Sequence, residues 1–246
     1  MKEYLKKNEE YWKKGYEAEN VESFVFRPYG RVFKYEFGLS GQNNEKLLDF
    51  GCGQGAALQF FKSKGFDVYG VDISETDINR CKQKMPDIQD HFAVIPPEPK
   101  ENDIFFNGSY DLIIAVQSLY YYSDHDLEIR LKSLYNQMKP GALIYASMMG
   151  TGHYMYNHSH EYREGLRKID FSLPRLKVSN YYVNFTHSEA DLRLLHRHFK
   201  FHNCINLYRK SRWKFVRTQK NFIISTIGLI FSSCATASSN EKISDF

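Results

Sequence analysis

The feature that most constrains this chain is the run Lys46-Leu47-Leu48-Asp49-Phe50, followed at once by Gly51-Cys52-Gly53-Gln54-Gly55 and then by Ala56, Ala57, Leu58, Phe60 and Phe61. The short apolar run ended by an acid reads as a strand, and the glycines as a loop. The apolar residues after them read as a helix, with Lys62 and Lys64 in its last turn and Gly65 as its left-handed stop. Glycines let backbone approach a ligand closely, and a helix starting on such a loop offers N–H groups and partial positive charge to an anion. The loop reads as a ligand site.

The same alternation runs on along the chain. Asp67 to Asp72 reads as a second strand, and Ser74-Glu75-Thr76-Asp77 as an acidic capping box opening a helix that Pro86 ends. Asp111 to Val116 reads as a strand buried on both faces. Leu127, Leu131, Leu134 and Met138 fall on one helical stripe, Lys139-Pro140-Gly141 forms a turn, and Ala142 to Met148 is another strand. Thr186 and Glu189 are expected to cap a helix facing the sheet through Leu192, Leu195 and Phe199. Phe201 to Tyr208 and the apolar run from Phe222 to Ile230 then form two strands with no helix between them, and so an antiparallel pair. The fold class expected is α/β, a doubly wound, Rossmann-like sheet of seven strands with a C-terminal antiparallel hairpin. It occupies residues 41–231. Residues 1–40 are expected to be a helical lid, 150–185 an insertion rich in Tyr and His, and 232–246 a disordered tail.

Composition removes several classes. The 246 residues suit one large domain or two small ones at ~100–200 residues each. With 42% hydrophobic and 25% charged residues, wholesale disorder, collagen and coiled coil are excluded. The formal charge of +4 is too small to mark a nucleic-acid binder. Cys52, Cys81, Cys204 and Cys234 form no CxxC pair and have no His at zinc-finger spacing, so neither a disulfide framework nor a metal is expected. The N-terminus lacks the apolar segment of a secretory signal, and the run from Phe222 to Phe231 is about half the ~20 residues of a membrane span. A cytoplasmic protein without a membrane span is expected.

Gly51, Gly53 and Ala56 satisfy the GxGxxA pattern of a dinucleotide site, with Asp72 about 20 residues on, where a ribose-binding acid belongs. Asp49 separates that reading from another. A carboxylate beside the loop repels a pyrophosphate, whereas it attracts the ammonium of a methionine-type head group. Asp72 accepts hydrogen bonds from ribose hydroxyls in either case. An amino acid joined to a nucleoside is S-adenosylmethionine.

From about Lys46 to Ile230 the chain resembles the class I S-adenosylmethionine-dependent methyltransferases, in their small-molecule branch. DFGCGQG is similar to their first motif, GVDIS to the acid-bearing end of their second strand, and YDLIIAVQSLYYY to their fourth strand and active-site loop. MKPGALIYAS resembles their fifth strand. The resemblance implies S-adenosylmethionine as cofactor. It also implies that Asp49, Gly51, Gly53 and Gly55 hold the methionine end, Asp72 the ribose, Ile73 the adenine face, and Val116 with Gln117 the back of the cofactor. In place of the Asn/Asp-Pro-Pro-aromatic stretch of amino-methylating DNA enzymes stands Gln117-Ser118-Leu119-Tyr120, and no Cys follows a Pro as cytosine-C5 enzymes require. No acidic cluster of the magnesium-dependent, catechol-methylating kind is visible.

Ligands of open α/β sheets bind outside the carboxyl ends of the strands. Tyr120, Tyr121 and Tyr122 follow the fourth strand there, and His153, Tyr154, Tyr156, His158 and His160 follow the fifth. Tyr11, Trp12 and Tyr16 are placed to close over them, Tyr11 and Trp12 as cofactor contacts. Tyr120, Tyr121, Tyr154 and His158 are the expected acceptor-binding residues, and His153, nearest the strand end, the expected base for a hydroxyl acceptor. An amine acceptor needs no base. The expected activity is methylation of a small polar hydroxyl or amine, sugars and sugar-containing precursors included. The alternatives are an RNA or protein methyltransferase using the basic stretch Arg209 to Lys220, or a non-catalytic cofactor-binding regulator.

Overall fold

The computed structural model describes residues 1–13, 23–169, 181–188, 191, 200–206 and 226–232, the last two stretches as backbone. Its first helix, α1 (Glu3–Lys13), is followed by α2 (Ser23–Pro28), a π-helical turn (Tyr29–Phe33) and the single turn α3 (Lys34–Glu36). The alternation then begins with β1 (Lys46–Phe50), α4 (Ala56–Lys62), β2 (Asp67–Asp72), α5 (Glu75–Lys84) and β3 (Phe92–Val94). It continues with β4 (Tyr110–Ala115), α6 (Asp124–Asn136) and β5 (Met138–Gly150). Three short strands follow, β6 (Ser159–Glu161), β7 (Leu166–Ile169) and β8 (Tyr181–Thr186), and then β9 (Lys200–Asn206) and β10 (Thr226–Ser232).

The sheet order is β3-β2-β1-β4-β5, all parallel, with β10 antiparallel to β5 and β9 antiparallel to β10. The chain winds one way from β1 through β2 to β3 and the other way from β4 to β5. The order therefore reverses between β1 and β4, and the crevice outside their carboxyl ends is where an open α/β sheet binds its ligand. The expected antiparallel C-terminal pair is present. Among the described residues the sheet has ten strands where seven were expected, because the insertion contributes the antiparallel ladder β6-β7-β8.

Side chains alternate between the faces of each strand, which divides the core in two. Leu48, Ile113 and Ile144 pack on one face with Leu127, Leu131 and Leu134 of α6. Their neighbours Leu47, Ile114 and Tyr145 pack on the other with Leu58 and Phe61 of α4 and Ile78 of α5. The helix starts are capped as the residues suggest: Ser74 Oγ accepts the Asp77 amide, and Ser123 Oγ accepts that of Asp126.

β5 has one edge along β10, from Leu143 to Met149, and the other along β4 up to Ala146. β8 joins at Met149 and Gly150, so it lies on the β4 edge, beyond the end of β4. That register carries the insertion across the ligand crevice. α1 is fixed to this ladder by Asn8, whose side-chain amide acts as a neighbouring strand would. Asn8 Oδ1 accepts the Tyr182 amide at 2.7 Å, and Nδ2 donates to the Tyr182 and Tyr121 carbonyls at 3.0 and 3.1 Å. Tyr4 and Lys2 add bonds to Asp126 of α6.

Several boundaries differ from expectation. Lys139-Pro140-Gly141 is an irregularity within β5 rather than a turn before it: Tyr110 pairs with Met138 and Leu112 with Leu143, so the extra residues loop out. Met138 belongs to β5 and not to the α6 stripe. Thr186 ends β8, and it is Ser188 whose hydroxyl receives the Asp191 amide, at 3.2 Å. Ser232 closes β10 instead of opening the tail. Tyr16, Glu189, Leu192, Leu195, Phe199, Leu207, Tyr208, the stretches 209–220 and 222–225 and the tail from 233 lie outside the described residues. Among the described residues no helix is long and apolar enough to cross a membrane, and no group of three His, Cys, Asp or Glu is placed to hold a metal.

Candidate functional site

At the carboxyl end of β1 the chain turns through Gly51, Gly53 and Gly55 with φ of 78°, 50° and 79°, a region that a side chain strains to enter. The three glycines answer to different surroundings. A Cβ on Gly51 would lie 2.5 Å from Ser118 Cβ, and one on Gly55 2.9 Å from Cys81 Sγ. A Cβ on Gly53 would meet nothing within 4 Å. Gly53 thus faces open space, and only its backbone angle disfavours a side chain there. The loop amides are largely committed: Gly51 and Cys52 donate to the Val71 carbonyl at 2.8 and 3.1 Å, and Gly55 to that of Cys52 at 3.0 Å.

Two carboxylates flank this space. Asp49 is 3% exposed, and burial, with the charge of Asp72 added, pushes its carboxyl up to about 8. Asp72 ends β2, with Oδ2 accepting the Gly53 amide at 2.8 Å and Oδ1 the Ser74 amide at 2.9 Å. Burial raises its pKa, and those amide bonds oppose the rise. The Ile73 amide also acts on Asp72, and of a carboxylate's roughly four acceptor positions at least one remains for a ligand. Ile73 follows, half-buried against the core.

The β4 side closes the crevice. Val116 is half-buried, and Gln117 takes a φ of 56°, unusual outside glycine. The Gln117 amide donates to Ser147 Oγ of β5 at 2.7 Å, and Ser118 Oγ donates to the Phe50 carbonyl of β1 at 2.8 Å. These two serines tie β1, β4 and β5 together where the glycine loop passes. Neither stands out in the sequence, since Ser147 sits inside an apolar strand and Ser118 in a loop.

Beyond Ser118, side chains from α1, the β4–α6 segment and the insertion meet in an aromatic cluster. Tyr11 stacks on Tyr181 at 3.9 Å, Trp12 meets Tyr121 edge-on at 5.2 Å, and Tyr120 lies 4.5 Å from Tyr121, between ring centres. Tyr181 was not singled out by sequence, although the alternation of the segment containing it is that of a strand. Its hydroxyl donates to Met155 Sδ at 3.2 Å. Burial raises the pKa values of Tyr120, Tyr121 and Tyr181, so their hydroxyls stay protonated. Tyr154 stands beside His153, with ring centres 4.6 Å apart. The indole N–H of Trp12 is buried without a partner. Tyr122 turns away, into a box with Phe50 and Phe105 around the buried guanidinium of Arg130.

His153 is buried, and burial pushes its pKa down to about 4. Its Nδ1 accepts the Met155 amide at 3.3 Å, capping the 3-10 turn Tyr154–His158. The neutral ring must then carry its proton on Nε2, where it donates rather than accepts. That departs from the base expected at this position. His158 and His160 are exposed, the first ending the turn and the second on β6. Tyr156 packs on Phe185 and Arg167 instead of entering the aromatic cluster.

A sheet with this strand order, a reversed β10 and an acid-flanked glycine loop defines the class I S-adenosylmethionine-dependent methyltransferases. The family model described as a methyltransferase domain matches residues 19–203, and the chain belongs to that family. Among curated relatives, the malonyl-[acyl-carrier protein] O-methyltransferase of Priestia megaterium is 30% identical over 115 residues, which cover 46% of this chain and 40% of that protein. Among solved structures, a SAM-dependent methyltransferase from Methanosarcina mazei superposes with a TM-score of 0.62 at 17% identity, covering 87% of this chain and 99% of that one. A 1,6-didemethyltoxoflavin-N1-methyltransferase from Burkholderia thailandensis, solved with 1,6-didemethyltoxoflavin and S-adenosylhomocysteine, gives 0.56 at 14% identity, covering 86% and 79%. These last two likenesses concern the fold.

Proposed function

We propose that this protein transfers the methyl group of S-adenosylmethionine to a small polar acceptor held in the aromatic cluster, with residues 41–231 as the methyltransferase domain, 150–185 as its acceptor-selecting insertion and 1–40 as a lid. The observation that carries the reading is the open space at Gly53, whose amide is held by the half-buried Asp72, with the buried Asp49 close enough to Asp72 to feel its charge. It fits a ligand that brings a cation to Asp49 and hydroxyls to the acceptor capacity left at Asp72. Ile73 would take the adenine face, Val116 and Gln117 the back of the cofactor, and Tyr11 and Trp12 would close the site from α1. Bound S-adenosylmethionine supplies an electrophilic methyl on a cationic sulfur.

The protein's task is alignment in a dry site, with the nucleophile ~3–3.5 Å from the carbon it attacks. The aromatic rings exclude water. The protonated hydroxyls of Tyr120 and Tyr121, with Tyr154, the Trp12 N–H and the His153 Nε2–H, orient the acceptor by hydrogen bonds. With the Nδ1 lone pair of His153 used by Met155, no proton acceptor stands at that position. This favours an acceptor that is nucleophilic without an enzyme base, an amine over a hydroxyl. Thermal shift and calorimetry test the cofactor half of the reading. S-adenosylmethionine and S-adenosylhomocysteine at ~100 times their dissociation constants should stabilise by ~2.7 kcal/mol, and NAD should not. A shift with NAD alone would overturn it.

A further inference from the structure

The Gly53 carbonyl faces two thiols. Cys81 Sγ lies 3.2 Å from that oxygen and Cys52 Sγ 3.7 Å, so the two thiols converge on one acceptor. Both cysteines are free and buried. Cys52 belongs to the glycine loop and Cys81 to α5, so the pair bridges the two elements that bracket the Gly53 space. Small residues make room for the sulfurs: a Cβ on Gly70 would come within 3.0 Å of Cys52 Sγ, and one on Gly55 within 2.9 Å of Cys81 Sγ. Cofactor binding as described above uses neither thiol.

We propose that Cys52 and Cys81 form a disulfide under peroxide and that this bond closes the site to its cofactor; the second half of the proposal rests on the glycine loop being the cofactor site. One sulfur, as its thiolate, attacks a peroxide oxygen. The O–O bond breaks, leaving a sulfenic acid and hydroxide, which takes up the proton released by the thiol and becomes water. The second sulfur then displaces the sulfenic oxygen, which leaves as water. Two thiols and one hydrogen peroxide become one disulfide and two waters: the sulfurs lose two electrons in all and the peroxide oxygens gain them.

The bond would hold the sulfurs ~2.05 Å apart. It consumes both S–H donors, so the Gly53 carbonyl loses its partners inside the protein and the loop is pulled toward α5. The Gly53 amide on Asp72 and the open face of Gly53 move with it. The neighbouring Cys81 thiol and burial keep the Cys52 thiol protonated, which ties the reaction to opening of the loop. A bound cofactor holds the loop shut and should protect the pair.

The test uses the full chain, hydrogen peroxide and S-adenosylhomocysteine. Peptide mass spectrometry without reductant should find the Cys52 peptide linked to the Cys81 peptide, more slowly when S-adenosylhomocysteine is present. Calorimetry should show binding weakened roughly tenfold or more after oxidation and restored by dithiothreitol. Cys81→Ser, which keeps a hydrogen-bond donor to Gly53, should bind without peroxide sensitivity, and Cys81→Ala serves if that variant does not fold. Absence of the linked peptide after exhaustive oxidation, or a linked protein that binds undiminished, overturns the switch. Failure of the reduced protein to bind S-adenosylhomocysteine overturns the cofactor site itself, a result separable from the peptide analysis.

Discussion

Replacing Asp49 by Asn should make the protein more stable and its cofactor binding worse, and the two effects arise from the same burial. The folded carboxyl titrates at about 8, against an ordinary value of 3.8. Between those values the folded state keeps a proton that the unfolded state has lost, so stability falls as pH rises through the window and levels off above it. At ~1.4 kcal/mol per pH unit, the cost at neutral pH is about 4 kcal/mol, and Asn avoids it. Urea denaturation of both proteins at about pH 5, 7 and 9 should show the advantage of Asp49→Asn widening with pH. The cofactor's ammonium reverses the preference, because beside a cation the ionised carboxylate is the favoured form. Binding by the natural protein below pH 8 should therefore release a proton, seen by calorimetry in buffers of different ionisation enthalpy. Asp49→Asn should release none and bind ten- to a hundredfold more weakly, the loss of ~1.5–3 kcal/mol expected for a charge-assisted hydrogen bond. A variant that binds as tightly as the natural protein would refute the assignment of Asp49 to the ammonium.

Gly53→Ala adds only the strain of its positive φ and a methyl in open space, so it should weaken cofactor binding with a small loss of stability, whereas Gly51→Ala also drives a Cβ to 2.5 Å from Ser118 and should lower the melting temperature far more. The same behaviour from both variants would count against the division between them. Asp72→Ala should weaken cofactor binding by roughly ten- to a hundredfold and, by orphaning the Gly53 and Ser74 amides, also cost roughly 1–3 kcal/mol of stability; unchanged calorimetry would remove it from the site. His153→Ala should raise the acceptor KM roughly tenfold with kcat little changed, as loss of a donor does. A fall in kcat of ~10²–10⁴-fold with KM unaltered would instead restore the histidine as a base.

The parts of the fold that rest on local pattern were legible in the sequence. Asp49, the three loop glycines and Asp72 are close together along the chain, and strand, loop and helix periodicities place them at one end of the sheet. β3 was counted among the seven strands but not located, because three residues give no usable alternation. The insertion's ladder was missed because its pairing is set by contacts from Ser159 to Thr186 rather than by any local motif. His153 shows a different limit. Its position after β5 was readable, but its protonation depends on burial and on one backbone amide two residues away, neither of which a residue type reveals. Likewise the meeting of Tyr11 with Tyr181 depends on Asn8 docking α1 on β8, a contact across most of the chain.

That docking also bears on how the protein behaves in production and in the cell. The Tyr182 amide and carbonyl satisfied by Asn8 lie on the edge of β8 that faces away from β7, before β5 takes that edge over at Phe185. A chain shortened past α1, or nicked there by a protease, would present this stretch of strand bare, with the aromatic rings of Tyr181 and Tyr182 beside it. Exposed edges of this kind recruit further strands from neighbouring molecules. Loss of the first thirteen residues should therefore show itself first as aggregation, before any deficit in turnover is measured.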